Sequence, residues 1–172
     1  MRRLALLVLG AALLTGCAGR PDTPDGGSMQ DQTSALQQRP AMAEITARYE
    51  EMQQKLRDRW TAELGLSTPW VNDGNPGQAG CAEFPDVPNA EQHTLDRWQN
   101  EGAIPDDRWP RALQIADEVA AEYGFTERQV ILDRPGDHKV EMRDAFGGWL
   151  QVGTKVKTVL RVRTGCHLVE GS

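Results

Sequence analysis

The chain has 172 residues, of which 19 are Lys or Arg and 25 are Asp or Glu, so its net charge is −6. This length suits one compact domain with an unfolded segment attached, and it argues against a multidomain enzyme. The negative charge argues against a general nucleic-acid-binding protein, which would need cationic side chains to neutralise phosphates. We therefore expect one small domain and no nucleic-acid partner.

The N-terminus has the pattern of a bacterial lipoprotein signal. Arg2 and Arg3 precede an apolar run over residues 4–14, which is too short to span a bilayer as a helix but typical of a secretory signal peptide. The run leads into the sequence LTGC, which resembles the bacterial lipobox and ends at Cys17. We predict cleavage of residues 1–16 and attachment of acyl chains, palmitate among them, at Cys17. The protein would then be exported and lipid-anchored to the outer face of the cell membrane.

Loss of residues 1–16 removes two arginines and no acidic residue, so the predicted mature net charge is −8. The two cysteines that remain are Cys81 and Cys166, an even number in an oxidising compartment. We predict a disulfide bond between them, because a redox-active pair of thiols would favour a Cys-x-x-Cys spacing that is missing here. Closing so long a loop stabilises a domain by roughly 4 to 5 kcal/mol in the loop-entropy treatment.

The mature chain divides into two parts at residue 40. Residues 17–39 comprise Cys17 and a segment rich in Pro, Gly, Asp, Ser and Gln with little apolar periodicity, which predicts a flexible tether. Residues 40–169 show regular hydrophobic patterns and are predicted to form a single α+β ectodomain.

The ectodomain begins with the strongest pattern in the sequence. Apolar residues recur at gaps of three or four, as on one face of an α-helix. They are Met42, Ile45, Tyr49, Met52, Leu56, Trp60 and Leu64. With Pro40 at the first turn and Gly65 as a stop signal, this pattern predicts one long amphipathic helix.

The middle of the domain alternates between strand and helix signals. We predict a strand over 67–71, a long turn-rich loop from residue 72 to Cys81, and a further strand within 94–103. A second helix is predicted from an N-cap at Asp106 or Asp107 to Gly124.

The C-terminal part of the domain is predicted to be a β-meander. Short β-type runs at 129–133, 138–144, 149–152 and 159–163 are separated by tight turns or short connections. The order of elements predicts an α+β fold, a two-layer sandwich with two helices packed on a curved antiparallel β-sheet.

Alternation along the meander also predicts what lies on each face of the sheet. Val140, Met142, Leu160 and Val162 should face the helices. The opposite face would then hold a basic stripe beside Trp149, made of Lys155, Lys157, Arg161 and Arg163. Such a stripe is either an ordinary solvated face or a surface that binds an anion or a partner, such as an envelope protein or an anionic glycan or lipid.

The sequence contains no recognisable catalytic or metal-binding pattern. Neither Gly-x-Ser-x-Gly nor Ser-x-x-Lys occurs, and His93, His138 and His167 lack zinc-site spacing, so each is expected on the surface or in a loop. We predict no catalytic residues, no metal and no cofactor. Non-enzymatic ligand or partner binding is the favoured function, and a small hydrolase acting on envelope polymers is the alternative.

Several of these features occur together in one family. They are the lipobox, the long helix, Trp70 ahead of Gly80-Cys81, the segment ADEVAAEYG at 116–124 and the segment TGCHL at 164–168. Over residues 40–169 the chain resembles the LppA-like family of actinobacterial, mainly mycobacterial, lipoproteins. This resemblance implies a disulfide-linked α+β ectodomain in the cell envelope. The family's molecular function is undefined, so the resemblance implies no catalytic residues.

Overall fold

The computed structural model describes residues 28–169, and the predicted signal peptide and Cys17 lie outside that range. Within it there are three α-helices: α1 (Met29–Gln37), α2 (Met42–Leu64) and α3 (Trp109–Glu122). The strands are β1 (Trp70–Asn72), β2 (Gly77–Gly80), β3 (Ala90–Thr94), β4 (Trp98–Asn100), β5 (Glu127–Arg134), β6 (Asp137–Arg143), β7 (Trp149–Thr154), β8 (Thr158–Arg163) and β9 (His167–Leu168). None of these three helices is both long and apolar enough to cross a membrane.

All nine strands belong to one antiparallel sheet. Its main path runs β1-β4-β8-β7-β6-β5, and β3 joins it through β8 while also pairing with β2 and β9. Strands β5 to β8 follow one another as neighbours, which confirms the predicted C-terminal meander. The sheet curves without closing, and the predicted α+β class is confirmed.

Helix α2 forms where the sequence predicts it. The helix ends at Gly65, whose φ of 66° is the left-handed conformation that glycine adopts without a Cβ clash. All seven apolar residues of its predicted stripe are at most 3% exposed. They pack against α3 and the inner face of the sheet, so the amphipathic stripe forms the centre of the main core.

The second helix begins later than its acidic residues suggest. Helix α3 starts at Trp109, its N-cap is Arg108, and that cap makes no side-chain hydrogen bond. Asp106 was one of the two predicted caps. Its carboxylate instead accepts a hydrogen bond from the Gly136 amide at 2.8 Å and lies 3.0 Å from Nε2 of His138. A tertiary contact to the β5–β6 turn has replaced the local cap.

Two short strands differ from the prediction. Strand β2 lies inside the segment from residue 72 to Cys81 that was predicted to be a loop, and β3 ends where the next predicted strand begins. Only β4 lies fully within the predicted range 94–103. The sequence of β2 is Gly-Gln-Ala-Gly, which has no strand propensity of its own. It is extended because it pairs with β3 over four residues.

The predicted flexible tether is wrong over residues 29–37, which form α1, while residues 18–27 lie outside the described range. A capping box starts the helix: the Asp31 amide donates to the Ser28 hydroxyl at 3.3 Å, and the Ser28 amide donates to the Asp31 carboxylate at 3.1 Å. Leu36 is 1% exposed and packs on the disulfide region. Gln32 is also buried, and its Nε2 donates to the Asp86 carboxylate at 3.0 Å. These two residues therefore dock a segment whose composition is that of a linker.

Cys81 and Cys166 form a disulfide bond with their Cα atoms 5.9 Å apart, as predicted. The bond joins the segment after β2 to the segment before β9. A small second core surrounds it, consisting of Leu36, Val87, Ala90 and the two half-cystines. The disulfide therefore holds together the part of the domain that the main core does not reach.

Candidate functional site

The outer face of the meander contains a groove of about 300 Å³. It lies on the side of the sheet away from the helices and reaches the turns at one end of the strands. Its lining comprises Arg97, Leu132, Asp137, His138, Lys139, Gln151, Val152, Gly153, Thr154, Lys155, Lys157, Val159 and Arg161.

Strand alternation determines which side chains reach this groove. Val140, Val152 and Leu160 are at most 1% exposed and point into the main core. Their chain neighbours therefore project from the opposite face, since successive side chains of a strand alternate. On β6 this neighbour is Lys139, and on β8 it is Arg161.

Gly153 leaves the floor of the groove open. It lies on the central strand β7, directly between Lys139 on β6 and Val159 on β8. A Cβ at this position would come within 3.1 Å of the His138 carbonyl oxygen and 3.5 Å of Cγ of Lys139. Because Gly153 has no side chain, the outer face of the sheet has a depression between the side chains of Lys139 and Val159.

Five cations and one carboxylate line the groove, so the site is basic on a protein whose overall charge is negative. Lys155 is paired with that carboxylate, Asp137, at 2.9 Å. Lys157 is paired with Glu101 at 2.7 Å. Both pairs are exposed ion pairs of small individual strength, so an anionic ligand can compete for these lysines.

The remaining three cations differ in how well they are neutralised. Arg97 makes an ion pair with Asp73. Lys139 and Arg161 make no ion pair within residues 28–169. Arg161 instead lies over the indole of Trp149, with its guanidinium carbon 5.8 Å from the ring centroid. Its charge is thus held in place by an aromatic face rather than by a carboxylate.

One carboxylate of the same face, that of Glu141, does not neutralise these cations. Glu141 accepts a hydrogen bond from Gln151 at 2.7 Å and pairs with Arg143 at 2.5 Å. Arg163, opposite Trp149 in the sheet, also makes no ion pair within the described part of the chain. Arg161 and Arg163 therefore lie beside Trp149 without an ion pair among the described residues.

The positive charges of Arg97 and Arg161 act on the nearby carboxylate of Asp73. A hydrogen bond from Arg97 lowers the pKa of Asp73 below its usual value, and the charges of Arg97 and then Arg161 lower it further. Arg161 therefore adds, after Arg97, to the charge that keeps Asp73 ionised.

The structure brings part of the predicted basic stripe into the groove. Lys155, Lys157 and Arg161 line it, whereas Trp149 supports Arg161 from beside the groove, and Arg163 lies opposite Trp149 outside the lining. Two lining cations were not part of the predicted stripe. Lys139 could have been found by extending the alternation rule to β6. Arg97 could not, because it lies between β3 and β4 and reaches the groove only through the sheet topology.

Two of the three histidines are buried, contrary to the expectation of surface or loop positions. His138 is 7% exposed and His167 is fully buried. Nδ1 of His167 donates to the Pro40 carbonyl at 2.8 Å, and burial lowers its pKa. His93 is half-buried beside Glu91, at 2.8 Å. Within residues 28–169 no three His, Cys, Asp or Glu side chains group in a way that could hold a metal ion.

His138 has the most structured polar environment of the three histidines. Its Nδ1 lies 2.6 Å from Asp133, and its Nε2 lies 3.0 Å from Asp106. Burial by itself would lower the pKa of His138, but the hydrogen bonds to these two carboxylates outweigh it and raise the pKa above its ordinary value. The side chain belongs to the core face, so the cluster braces the β5–β6 hairpin against the start of α3.

Two solved structures share this fold. One is the protein named as lipoprotein LppA of Mycobacterium tuberculosis, with a TM-score of 0.69 and 15% identity, over 82% of this chain and 87% of that chain. The other is a DUF4853 family protein of Actinomyces odontolyticus ATCC 17982, with a TM-score of 0.59 and 15% identity, over 80% and 74%. At this identity the likeness shows the fold alone. No curated protein gives a significant sequence match.

A family model matches residues 18–170 and is described as LppA, a lipoprotein confined to pathogenic Mycobacterium. The match covers the disulfide, both long helices and the whole sheet. The predicted family is thereby confirmed, and the chain belongs to the LppA family of lipoproteins.

Proposed function

We propose that this protein is a non-enzymatic ligand-binding ectodomain of the cell envelope, lipid-anchored at Cys17 on the outer face of the membrane, whose groove binds a phosphate-bearing ligand. The observation that supports this most is that Lys139 and Arg161, which make no ion pair within residues 28–169, line the groove around its open floor at Gly153. The guanidinium group matches the oxygens of a phosphate in two parallel hydrogen bonds, while lysine acts as a point charge.

The size of the groove supports a small ligand group rather than a long polymer in an enclosed tunnel. A volume of about 300 Å³ lies at the lower end of the range for small-molecule sites. A sugar phosphate and the headgroup of an anionic lipid both suit the groove, since each presents a phosphate to its cations and hydroxyl groups to its polar side chains. Gln151 offers an amide to such hydroxyls from the groove lining.

The number of carboxylates in the groove favours ligand binding over hydrolysis. A glycoside hydrolase uses two facing carboxyl groups, one of which has a raised pKa. The groove has a single carboxylate within the described residues, and that group, Asp137, is paired with Lys155 at 2.9 Å. A hydrolase acting on envelope polymers therefore has less support than a binding protein.

The proposal is tested by titrating the full-length lipoprotein, held in phosphatidylcholine nanodiscs, with mannose 6-phosphate and with mannose. We expect mannose 6-phosphate to bind and mannose not to bind. Arg161→Gln should weaken the binding about tenfold, since a charge-assisted hydrogen bond contributes about 1.5 to 3 kcal/mol, and adding Lys139→Gln should weaken it further. Arg48→Gln on α2 is the matched control, because it removes the same charge from the helical face. A second arm replaces the free sugar with phosphatidylglycerol in the nanodisc, which distinguishes a lipid headgroup from a glycan phosphate.

If neither the sugar phosphate nor the anionic lipid interacts with the wild type at low salt, the groove is not a phosphate site. The same conclusion follows if Arg161→Gln and Arg48→Gln weaken binding equally, because the interaction would then depend on net charge alone.

A further inference from the structure

Strand β5 lies at one end of the sheet with an unpaired edge. It pairs with β6 and, among residues 28–169, with no other strand. Seven of its eight residues are exposed, including Val130 at 57% and Ile131 at 46%. A long edge strand with exposed apolar side chains presents backbone donors and acceptors to another strand. The order of charged and apolar residues in β5 indicates which strand would pair with this edge.

The sequence of β5, ERQVILDR, is complementary to itself when reversed. In an antiparallel pair of two copies centred between Val130 and Ile131, Glu127 lies opposite Arg134 of the second copy. By the same register, Arg128 lies opposite Asp133 of the second copy. Each end of the pair then has opposite charges facing one another, and the centre has the two exposed apolar residues. Opposite charges and apolar pairs directly across an antiparallel ladder each stabilise it.

A β-bulge makes this register possible. Val130 lies opposite Val140, a residue of the inner face, whereas Leu132 lies opposite Lys139, a residue of the outer face. Ile131 is the extra residue between them. In a regular strand, residues two positions apart lie on the same face of the sheet. Val130 and Leu132 lie on opposite faces, so the alternation of side chains reverses at the centre of β5.

The reversal gives the two halves of β5 matching faces. Glu127 and Arg134 lie opposite Arg143 and Asp137 of β6, on the outer face. Arg128 and Asp133 lie on the inner face of the sheet, because they are opposite Met142 and His138. Each charged pair of the proposed register therefore has both members on one side of the sheet, as residues directly across an antiparallel pair require.

We infer that this protein forms a two-fold symmetric dimer by antiparallel pairing of β5 with β5 of a second copy. The two-fold axis is perpendicular to the sheet, so both copies present the same face. Along an edge strand without a bulge, directly opposed side chains would point to the same side of the sheet over only half of β5, because the alternation of β5 reverses at its centre. The bulge thus excludes most other strands while its own copy fits.

The charged ends of β5 are available for this contact. Arg134 is 68% exposed in its side chain, and its nearest carboxylate, Asp137, is 3.8 Å away. Glu127 makes no ion pair within the described residues. Arg128 and Asp133 have partners within the chain, Asp117 at 2.6 Å and His138 at 2.6 Å. Those pairs are open to solvent on one side, so a second copy can approach without breaking them.

The contact should depend on the membrane. Eight residues of strand extend only about 27 Å, and edge pairing of that length buries less than the ~1,200 Å² of a standard stable interface. Dimerisation in dilute solution is therefore expected to be weak. Attachment of both copies to one bilayer raises their effective concentration and favours the pair. This inference does not use the proposed ligand groove, but its dependence on the membrane rests on the proposed lipid anchor at Cys17.

The test uses the full-length lipoprotein in phosphatidylcholine vesicles. Gln129→Cys and Leu132→Cys variants carry different epitope tags, are reconstituted together, and are treated with a short bismaleimide. These two positions face one another in the proposed register and share the outer face. We expect a doubly tagged product at least fivefold above that of Val156→Cys mixed with Leu132→Cys, since Val156 is 75% exposed on the β7–β8 turn. Equal yields from the two mixtures would overturn the inference.

A charge swap in the same background tests the register. Glu127→Arg and Arg134→Glu, each made alone in both cross-linking partners, should lower the yield severalfold by placing like charges opposite one another. Combining the two changes should restore the yield, because the opposite charges then meet again in exchanged positions. A double variant that cross-links less than either single variant would overturn the inference, as would single variants that cross-link as well as the parent.

Discussion

The imidazole of His138 stacks on the indole of Trp109, with ring centroids 5.1 Å apart and ring planes 13° apart. Trp109 is the first residue of α3, and His138 is the second residue of β6. Asp106 and Asp133 hold the two nitrogens of the imidazole. One protonatable ring therefore joins a helix start, a hairpin and the loop that precedes the helix.

This arrangement predicts a loss of stability as the pH rises. The pKa of His138 is higher in the folded state than the ordinary value of about 6.5, so folding favours the protonated ring. Its contribution is fully present below about pH 6.5 and is lost as the pH rises through the folded pKa. Denaturant unfolding from pH 5.5 to pH 9 should show this decline in the wild type and a flatter profile in His138→Gln. Parallel profiles for the two proteins would contradict the prediction. His167, whose pKa is lowered, changes stability only below about pH 6.5, and because both proteins contain it, its contribution cancels in the difference between their profiles.

Gly165 is predicted to tolerate no side chain. A Cβ there would lie 1.9 Å from the carbonyl oxygen of Phe146 and 2.6 Å from its carbonyl carbon, both of which are backbone atoms that cannot rotate away. We expect Gly165→Ala to lower the free energy of unfolding by about 3 kcal/mol or more, at the upper end of overpacking effects. Gly77→Ala is the matched control, since nothing lies within 4 Å of its Cβ. Equal stabilities of the two variants in urea would show that the Phe146 loop moves aside.

The disulfide should account for a large share of the domain's stability. Replacing both Cys81 and Cys166 by Ser removes the constraint on an 85-residue separation, which the loop-entropy treatment values at roughly 4 to 5 kcal/mol. Thermal and urea unfolding of the oxidised wild type and the double variant measure the difference. A change below about 1 kcal/mol would mean that the unfolded chain is already restricted in this region.

The lipid anchor is predicted at Cys17. Cys17→Ser should abolish acylation, because the thioether requires that sulfur, and the protein should then leave the membrane fraction. Mass spectrometry of the mature N-terminal peptide checks the modification, and fractionation checks the location. Cys81→Ser with Cys166→Ser serves as the control, since it removes the other two cysteine sulfurs and should leave acylation unchanged. Acyl chains found on the Cys17→Ser variant would contradict the lipobox interpretation.

Sequence alone was sufficient where a pattern depends on the polarity of neighbouring residues in the chain. The apolar stripe from Met42 to Leu64 and the stop at Gly65 predicted α2, because helix periodicity and the left-handed glycine are local properties. The alternation along β6 and β8 placed Val140 and Leu160 in the core for the same reason. The pairing of the two remaining cysteines followed from their number.

Only the tertiary structure decided the features that depend on partners distant in the chain. Helix α1 and strand β2 have weak signals of their own and exist because Leu36 docks beside the disulfide and β3 provides a ladder. Arg97 joins the groove through the order of strands, which composition does not encode. His138 is buried because carboxylates from two different segments satisfy both of its nitrogens. A polar side chain enters a protein interior only when such partners are brought to it, and that depends on the whole fold.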